Sequence, residues 1–315
     1  MRLAIIIPSY KVSRQILGVL ASIPAEVSRI YVVDDCCPET SGDVVERSNQ
    51  DARVQVLRHS ENQGVGGAVL TGYRQAIADG MDIAIKIDGD GQMDPSLIPH
   101  FVKPIVDGRA DYTKGNRFYS LDLLRAMPTV RLLGNAALSL INKIVSGYWS
   151  IMDPTNGYTA ISVKILQLLP LGIIEKRYFF ESDMLYHLGL VRACVIDIPM
   201  RSFYADETSS LSIRNVALRF PGKYAIRAIK RFVYSYLLRD FNAGSVETIL
   251  GGTLLTFGVV FGSIRWATGI IDAAATPSGT VMLAALPVIL GTQLLLSALY
   301  YDIQNQPKDA LHPLL

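Results

Sequence analysis

From Gly244 onward the chain loses nearly all its charge, and two apolar stretches follow, about Val246 to Ile271 and Thr280 to Ile303. Each is long enough to cross a hydrocarbon layer as a helix, the conformation in which a single segment satisfies its own backbone N–H and C=O groups. The two stretches read as a transmembrane hairpin. A buried hairpin in a large soluble core is the competing reading, because Glu247 and Arg265 interrupt the first stretch. Both lie toward its ends, where long side chains can snorkel to the interface. Arg214, Arg219, Lys223, Arg227, Lys230, Arg231 and Arg239 precede the hairpin, whereas the connection between its arms carries Asp272 and no basic residue. Positive charge stays on the cytoplasmic face, so both chain ends are expected there.

The 315 residues leave room for one α/β domain ahead of the hairpin. MRLAIIIPSY has no credible cleavage site, so no signal peptide is expected and this domain is expected in the cytosol. A net charge of +2 argues against a general nucleic-acid coat, although the basic cluster before the membrane suits anionic lipid or phosphate. Cys36, Cys37 and Cys194 lack the spacing of a zinc site or a disulfide scaffold and are expected as reduced thiols. No HExxH-like series joins the histidines, so any metal chemistry must rest on oxygen ligands.

Apolar runs alternate with helical periodicity through the first part of the chain. Leu3 to Ile7 is a strand ending at Pro8, Ser13 to Ser22 a helix, and Ile30 to Val33 a strand ending in Asp34 and Asp35. A helix over Ser41 to Asn49, a strand over Val54 to Leu57, a helix ending near Asp79, a strand over Asp82 to Ile87 and a helix over Pro95 to Val106 continue the pattern. Such alternation predicts a mostly parallel, doubly covered sheet. Ile213 to Asp240 should form one or two basic amphipathic helices at the membrane surface, with Phe232, Tyr234 and Tyr236 either at the interface or in helix packing. The expected division is a catalytic domain over 1–212, juxtamembrane helices over 213–243, the hairpin over 244–305 and a short cytoplasmic tail over 306–315.

The β-branched run Ile83 to Ile87 delivers DGDGQ, residues 88–92, from what reads as the edge of a buried strand. Asp88, Asp90 and Gln92 can converge on one side of a turning loop and offer hard oxygen ligands to magnesium or manganese. Such an ion suits a nucleoside diphosphate leaving group; a polar strand-to-helix turn is the bland reading. The loop leaves the carboxyl end of a strand, where ligands bind in open α/β sheets. NQGVGGAV, residues 62–69, allows close approach by a nucleotide or by another backbone segment. It matches neither the full dinucleotide fingerprint nor a P-loop.

IIIPSYK at 5–11, VVDDCCPETS at 32–41, DGDGQMDP at 88–95 and DPTNGYTA at 153–160 occur in this order. Together they make residues 1 to about 240 resemble the inverting glycosyltransferase family 2, in the branch that makes polyprenyl-phosphate sugars, with dolichyl-phosphate mannose synthases as relatives. The two-helix tail is further similar to bacterial bactoprenol glucosyltransferases. The resemblance implies a GT-A nucleotide-sugar-binding domain and a multi-pass protein of the bacterial inner membrane. It implies that Pro8, Tyr10 and Asp35 surround the base and ribose of the donor, with Asn62, Gly64 and Gly66 completing that wall. Strand alternation turns Asp34 elsewhere, and either Asp can instead cap a turn or helix. Lys86 would neutralise donor phosphate or be carried across the sheet, while Asp88, Asp90 and Gln92 take the ligand role toward Mg2+ or Mn2+.

By the same resemblance Gly115 to Arg117 and Arg131, with Asn135 nearby, belong to the lipid-phosphate site, where the planar guanidinium fork matches phosphate. Asp153 would orient the acceptor or sugar hydroxyls, an Asx-turn being its alternative, and Arg201 resembles a later phosphate contact. The implied catalytic set is Asp90, Asp153, Arg117, Arg131 and Arg201. After Arg201 the chain departs from the family's glycine and lysine pattern, since Thr208, Ser209 and Ser210 cannot replace a lysine charge.

The implied reaction is a single displacement in which undecaprenyl phosphate attacks the anomeric carbon of UDP-glucose and UDP leaves from the opposite face. Another nucleotide sugar such as GDP-mannose is the alternative donor. A polysaccharide synthase is a weaker reading, because SIRW at 263–266 lacks the glutamine of QxxRW and lies in the first apolar stretch. A non-catalytic scaffold is weaker still. Gly251, Gly252 and Tyr300 could mediate self-association, so a homo-oligomer, up to a tetramer, is expected.

Overall fold

Successive isoleucines on the first strand serve opposite faces of the sheet: Ile6 packs with Tyr31, Val33 and Tyr73, whereas Ile5 and Ile7 pack with Ile30, Val32 and Phe101. A strand buried on both sides belongs inside a helix-covered sheet. The computed structural model describes residues 1–119, 129–200, 213–272 and 275–315, with the side chains of 129–133 and 213–219 outside the description. It divides into two compact units, Met1–Ala228 with Pro307–Leu315, and Ile229–Gln306.

The first unit is built on strands β1 (Leu3–Ser9), β2 (Arg29–Asp34), β3 (Val54–Arg58), β4 (Ile83–Lys86), β5 (Tyr112–Asn116), β6 (Thr159–Ser162) and β7 (Val195–Pro199), in the spatial order β3-β2-β1-β4-β6-β5-β7. Helices α1 (Ile16–Ala21), α2 (Ser41–Ser48), α3 (Val65–Ala78) and α4 (Ile98–Val106) follow the expected alternation. The acidic loop thus leaves the end of a buried, central strand, between β1 and β6. β1 also runs through Pro8 to Ser9. Its side toward β4 is paired only as far as Ile6 and Lys86, so the missing Pro8 N–H interrupts no ladder bond there.

β6 is antiparallel to both neighbours, and this reversal assembles the site. Thr159, at the start of β6, pairs with Lys86 at the end of β4 and with Lys114 near the end of β5. The segment entering β6 is therefore delivered to the edge of the sheet from which the β4 and β5 loops emerge. Helices α5 (Thr129–Ser146), α6 (Val163–Leu168), α7 (Phe180–Val191) and the first part of α8 (Ile213–Phe232) complete this unit together with the tail.

Part of the basic cluster of α8 is used internally. Arg227 Nε donates to Asp183 at 2.6 Å and Lys223 Nζ pairs with Glu175 at 2.7 Å. These cations hold α8 against α7 and the segment that precedes it, and are not simply available to anionic lipid. The tail packs back as well: Leu311 N and His312 N donate to Asp111 at 2.8 Å, and the same fully buried carboxylate accepts from Cys194 N at 2.8 Å.

The second unit continues α8 through a π-helical turn, Val233–Leu238, into α9 (Ala243–Ile271) and α10 (Ser278–Gln304). Asn242 and Ser245 cap α9 reciprocally, Asn242 Oδ1 accepting from Ser245 N and Ser245 Oγ from Asn242 N. Both long helices are apolar enough to cross a membrane, with mean hydropathy 1.6 and 2.0. They meet backbone to backbone, since a Cβ at Gly251 would stand 3.0 Å from Gly291 O and one at Gly258 2.7 Å from Ala284 O. Gly251 is thus used inside the hairpin, whereas Gly252 has no neighbour that a Cβ would meet and Tyr300 is exposed.

Candidate functional site

The two neighbouring carboxylates at the carboxyl end of β2 have different tasks. Asp34 turns back into the protein, its Oδ1 accepting from Cys37 N at 2.8 Å and its Oδ2 from Gly42 N at 2.9 Å, so it organises the entry to α2. Asp35 lies on the other side and collects the 59–64 loop. Its carboxylate accepts from Gln63 N at 2.8 Å and Gly64 N at 2.7 Å and meets His59 Nδ1 at 2.7 Å, while its carbonyl accepts from Asn62 Nδ2. Most of the acceptor capacity of Asp35 is committed to holding this loop. Pro8 is half-buried and Tyr10 exposed, with Lys11 Nζ over the Tyr10 ring.

The small residues of the glycine-rich segment serve backbone packing. Gly64 has φ +90°, and a Cβ there would stand 2.8 Å from Lys176 O; one on Gly66 would reach 2.6 Å from Phe180 Cβ. Gly67 N donates to Lys176 O at 2.8 Å. The start of α3 is thereby docked on segment 175–180.

Lys86 is buried at the end of β4, and its Nζ lies 2.9 Å from Asp88 Oδ1 and 3.2 Å from Glu181 Oε1. Burial opposes the charge, but the two carboxylates outweigh it and hold the ammonium protonated well above the ordinary lysine value. Lys86 thus orients Asp88 from beneath. Asp90 Oδ1 accepts from Gln92 N at 3.0 Å, closing an Asx-type turn. Asp88 and Asp90 are both half-buried, and a Cβ at Gly157 would stand 2.7 Å from Asp88 Oδ2. The absent side chain at 157 leaves a cradle over that oxygen. Among the described residues no group of three or more His, Cys, Asp or Glu could hold an ion by itself.

Gly157 belongs to the segment that enters β6, and so does Asp153. Fully buried, Asp153 accepts from Arg117 Nε at 2.7 Å and Nη2 at 3.0 Å, a two-bond pairing that sets the guanidinium plane. Asn156 Nδ2 also donates to Asp153 at 3.3 Å. One short segment thereby touches the acidic turn at Gly157 and the GNR loop at Asp153. Asn135 lies half-buried on α5; Arg131 is on the same helix, with its side chain outside the described residues, as is all of Arg201.

Three residues in this region carry no local motif. Glu181 comes from α7 to Lys86, and Lys114 and Asp197 lie beneath the GNR loop. Burial pushes the Lys114 ammonium down to about 8 against the opposing pull of Glu181 and Asp153. It pushes Asp197 up to about 6, and Asp197 Oδ1 is buried without a partner among the described residues. For Lys114 and Asp197 the sequence sign is a charged residue in the middle of YTKGN and VIDIP, and Glu181, on a helix, carries none of that kind.

A mixed α/β sheet with an acidic turn at one central strand and an arginine–carboxylate pair alongside defines a GT-A-like glycosyltransferase fold. Residues 4–169 match Glycosyl transferase family 2, and the chain belongs to that family, in its polyprenyl-phosphate sugar transferase branch. It is 28% identical over 240 residues to a UDP-N-acetylglucosamine–dolichyl-phosphate N-acetylglucosaminyltransferase of Methanococcus voltae, covering 72% of this chain and 95% of the relative. It is 31% identical over 205 residues to an undecaprenyl-phosphate mannosyltransferase of Micrococcus luteus, covering 64% of this chain and 83% of the relative. Among solved structures, glucosyl-3-phosphoglycerate synthase from Mycobacterium tuberculosis, in complex with Mg2+ and UDP, shares the fold with a TM-score of 0.52 at 17% identity, over 73% of this chain and 79% of that one.

Proposed function

We propose that the protein transfers a sugar, with inversion, from a nucleotide-sugar donor to a polyprenyl phosphate. The observation that carries this reading is the single 153–157 segment, which sets Arg117 through Asp153 at one end and leaves room over Asp88 through Gly157 at the other. An anion-binding guanidinium and a pair of oxygen ligands are thereby held by one piece of backbone. Arg117 receives the acceptor phosphate, and Asp153 keeps the guanidinium in one plane. Arg131 and Arg201 are assigned to the same anion by their motifs.

On the donor side, Asp35 and Asn62 form the wall for base and ribose, with Pro8 and Tyr10 beside it, while Gly64 and Gly66 are taken up by packing on segment 175–180. Asp88 and Asp90 suit a hard divalent ion, Mg2+ or Mn2+, with Gln92 on the same turn; because two carboxylates make an incomplete set, diphosphate oxygens and water complete it. When bound, such an ion supplies charge stabilisation to the departing nucleoside diphosphate. Lys86 keeps Asp88 oriented. The acceptor oxygen forms the new bond to the anomeric carbon as the bond to the diphosphate breaks on the opposite face. The acceptor needs no dedicated base, since a phosphate monoester is largely ionised near neutrality with a second pKa of about 6.

The donor sugar is proposed more broadly than UDP-glucose. The relatives named above transfer mannose and N-acetylglucosamine, which favours another nucleotide sugar over glucose. α9 and α10 hold the enzyme at the membrane where a polyprenyl phosphate resides. The test is product formation by the full-length protein in detergent with undecaprenyl phosphate, comparing UDP-glucose, UDP-N-acetylglucosamine and GDP-mannose, each with Mg2+, Mn2+ or chelator. A metal-dependent glycosyl-phosphoryl-lipid with any of these donors supports the reading. Transfer that ignores the lipid phosphate overturns it.

A further inference from the structure

Lys114 and Asp197 stand at matched register on the parallel strands β5 and β7. Lys114 Nζ donates to Asn156 O. Asp197 Oδ2 accepts from Met152 N at 2.9 Å and from Asn116 Nδ2 at 3.0 Å. Met152 and Asn156 flank the segment that carries Asp153, and Asn116 immediately precedes Arg117. We propose that Lys114 and Asp197 are positioning residues for the acceptor phosphate, gripping the 152–156 segment at both ends and the GNR loop at its root so that Asp153 meets Arg117 in one geometry. The inference rests on the reading of Arg117 as the phosphate-binding group.

The energetics support a purpose beyond packing. A fully buried ammonium on a strand interior is unfavourable unless its donors are needed, and an apolar residue of similar size would leave Asn156 O without this donor. Asp197 likewise spends one oxygen on two donors while the other is buried without a partner among the described residues. Such a carboxylate is poor as a stability element and effective as a common acceptor for two loops. Neither residue has a direct bond to Asp88, Asp90 or the 59–64 loop among the described contacts, so their influence should fall on the acceptor side. Misplacing a reacting group by about 1 Å can cost on the order of 100-fold in rate.

The test is steady-state kinetics of the full-length enzyme in detergent, with undecaprenyl phosphate and the best of the three donors. Asp197→Ala and Lys114→Met should each raise the KM for undecaprenyl phosphate by about tenfold or more and leave the donor KM within about twofold. Asp197→Asn, which retains an oxygen for Met152 N and Asn116 Nδ2, should restore the acceptor KM to within about threefold of the original. An unchanged acceptor KM in Asp197→Ala and Lys114→Met, a parallel rise in both KM values, or an Asn variant as impaired as the Ala variant would each overturn the proposal. If Asp197→Ala does not fold, Lys114→Met and Asp197→Asn decide it by the same criteria. Arg117→Ala is measured alongside: if it leaves the acceptor KM unchanged, the phosphate reading itself fails. If it raises that KM while Lys114→Met and Asp197→Ala do not, only the positioning role fails.

Discussion

A Cβ at Gly157 would stand 2.7 Å from Asp88 Oδ2, so the smallest residue of the 153–158 segment is matched to the first carboxylate of the acidic turn. Lys86 Nζ lies against the same position and holds the other oxygen, Oδ1, at 2.9 Å. A side chain at 157 would therefore press on both members of the Lys86–Asp88 ion pair. Gly157→Ala is expected to destabilise the first unit by about 1–3 kcal/mol, as overpacking does. It should also raise the Mn2+ concentration needed for half-maximal turnover by about tenfold, from the misplacement of one ligand. Thermal unfolding and a metal titration of activity check the two effects separately, and an unaltered titration would remove Asp88 from the ligand set.

Asp153 is fully buried whereas Arg117 is partly exposed, which makes their two-bond pairing asymmetric. Removing the carboxylate leaves a partly exposed guanidinium that solvent can reach, so the stability loss should be modest, about 1–3 kcal/mol after allowance for solvent around the arginine. The effect on turnover should be larger. Asp153→Ala is expected to lower kcat/KM for undecaprenyl phosphate by about 100-fold or more, because the anion-binding plane is no longer set. Asp153→Asn, which keeps an acceptor but loses the charge, should fall between. Kinetics with the acceptor varied at saturating donor give the comparison, and equal activity of all three proteins would exclude this role.

The course of β1 to β4 and their helices was legible because apolar runs there are short, β-branched and punctuated by Pro, Gly or Asp. β5 and β7 were not, because YTKGN and VIDIP place a lysine and an aspartate where a strand signal needs apolar residues. Those two residues are there for the loops above them, so the same contacts that hold the site obscured the strands. The candidate residues were legible where one motif carries them, as at Asp88 and Asp153. They were not where partners are remote, as with Lys86 and Glu181, which meet across 95 positions. The glycines at 64 and 66 show the limit of composition, since small residues suit a nucleotide and a packed backbone equally. Here segment 175–180 occupies that space.

Asp197 provides a pH-dependent check. Burial first, with the nearby Asp153 charge adding to it, raises its folded pKa to about 6 despite the Met152 N–H and the Lys114 and Lys143 charges. A carboxyl raised on folding favours the folded state when protonated. Its contribution is intact below the unfolded value of about 3.9 and is lost as pH rises through about 6. Asp197→Asn removes this titration. Relative to the original protein the variant should gain about 2 kcal/mol between pH 4 and pH 8, discounted for partial solvent access. Unfolding midpoints across that range, measured in one detergent, test the sign; a gain toward low pH would contradict it.

Asp111 gives the last prediction, since this buried carboxylate joins the catalytic sheet to chain that lies beyond the second apolar helix. It accepts from Cys194 N next to β7 and from Leu311 N and His312 N of the tail, and His312 Nδ1 lies 2.8 Å from Oδ1. A tail bonded to a sheet residue must be on the same side of a membrane as that sheet, and a hairpin of two crossings meets this requirement. A fluorescent reporter that matures only in the cytoplasm, fused after Leu315, should therefore report the same side as one fused at Met1. Asp111→Ala leaves several N–H groups to find new partners and is expected to lower stability by about 2–4 kcal/mol. In the same variant the tail should become open to protease added to the side that bears the catalytic domain. Reporters on opposite sides would show that the tail cannot reach Asp111 in the membrane, whereas a protected tail in Asp111→Ala would show that the apolar contacts around it suffice.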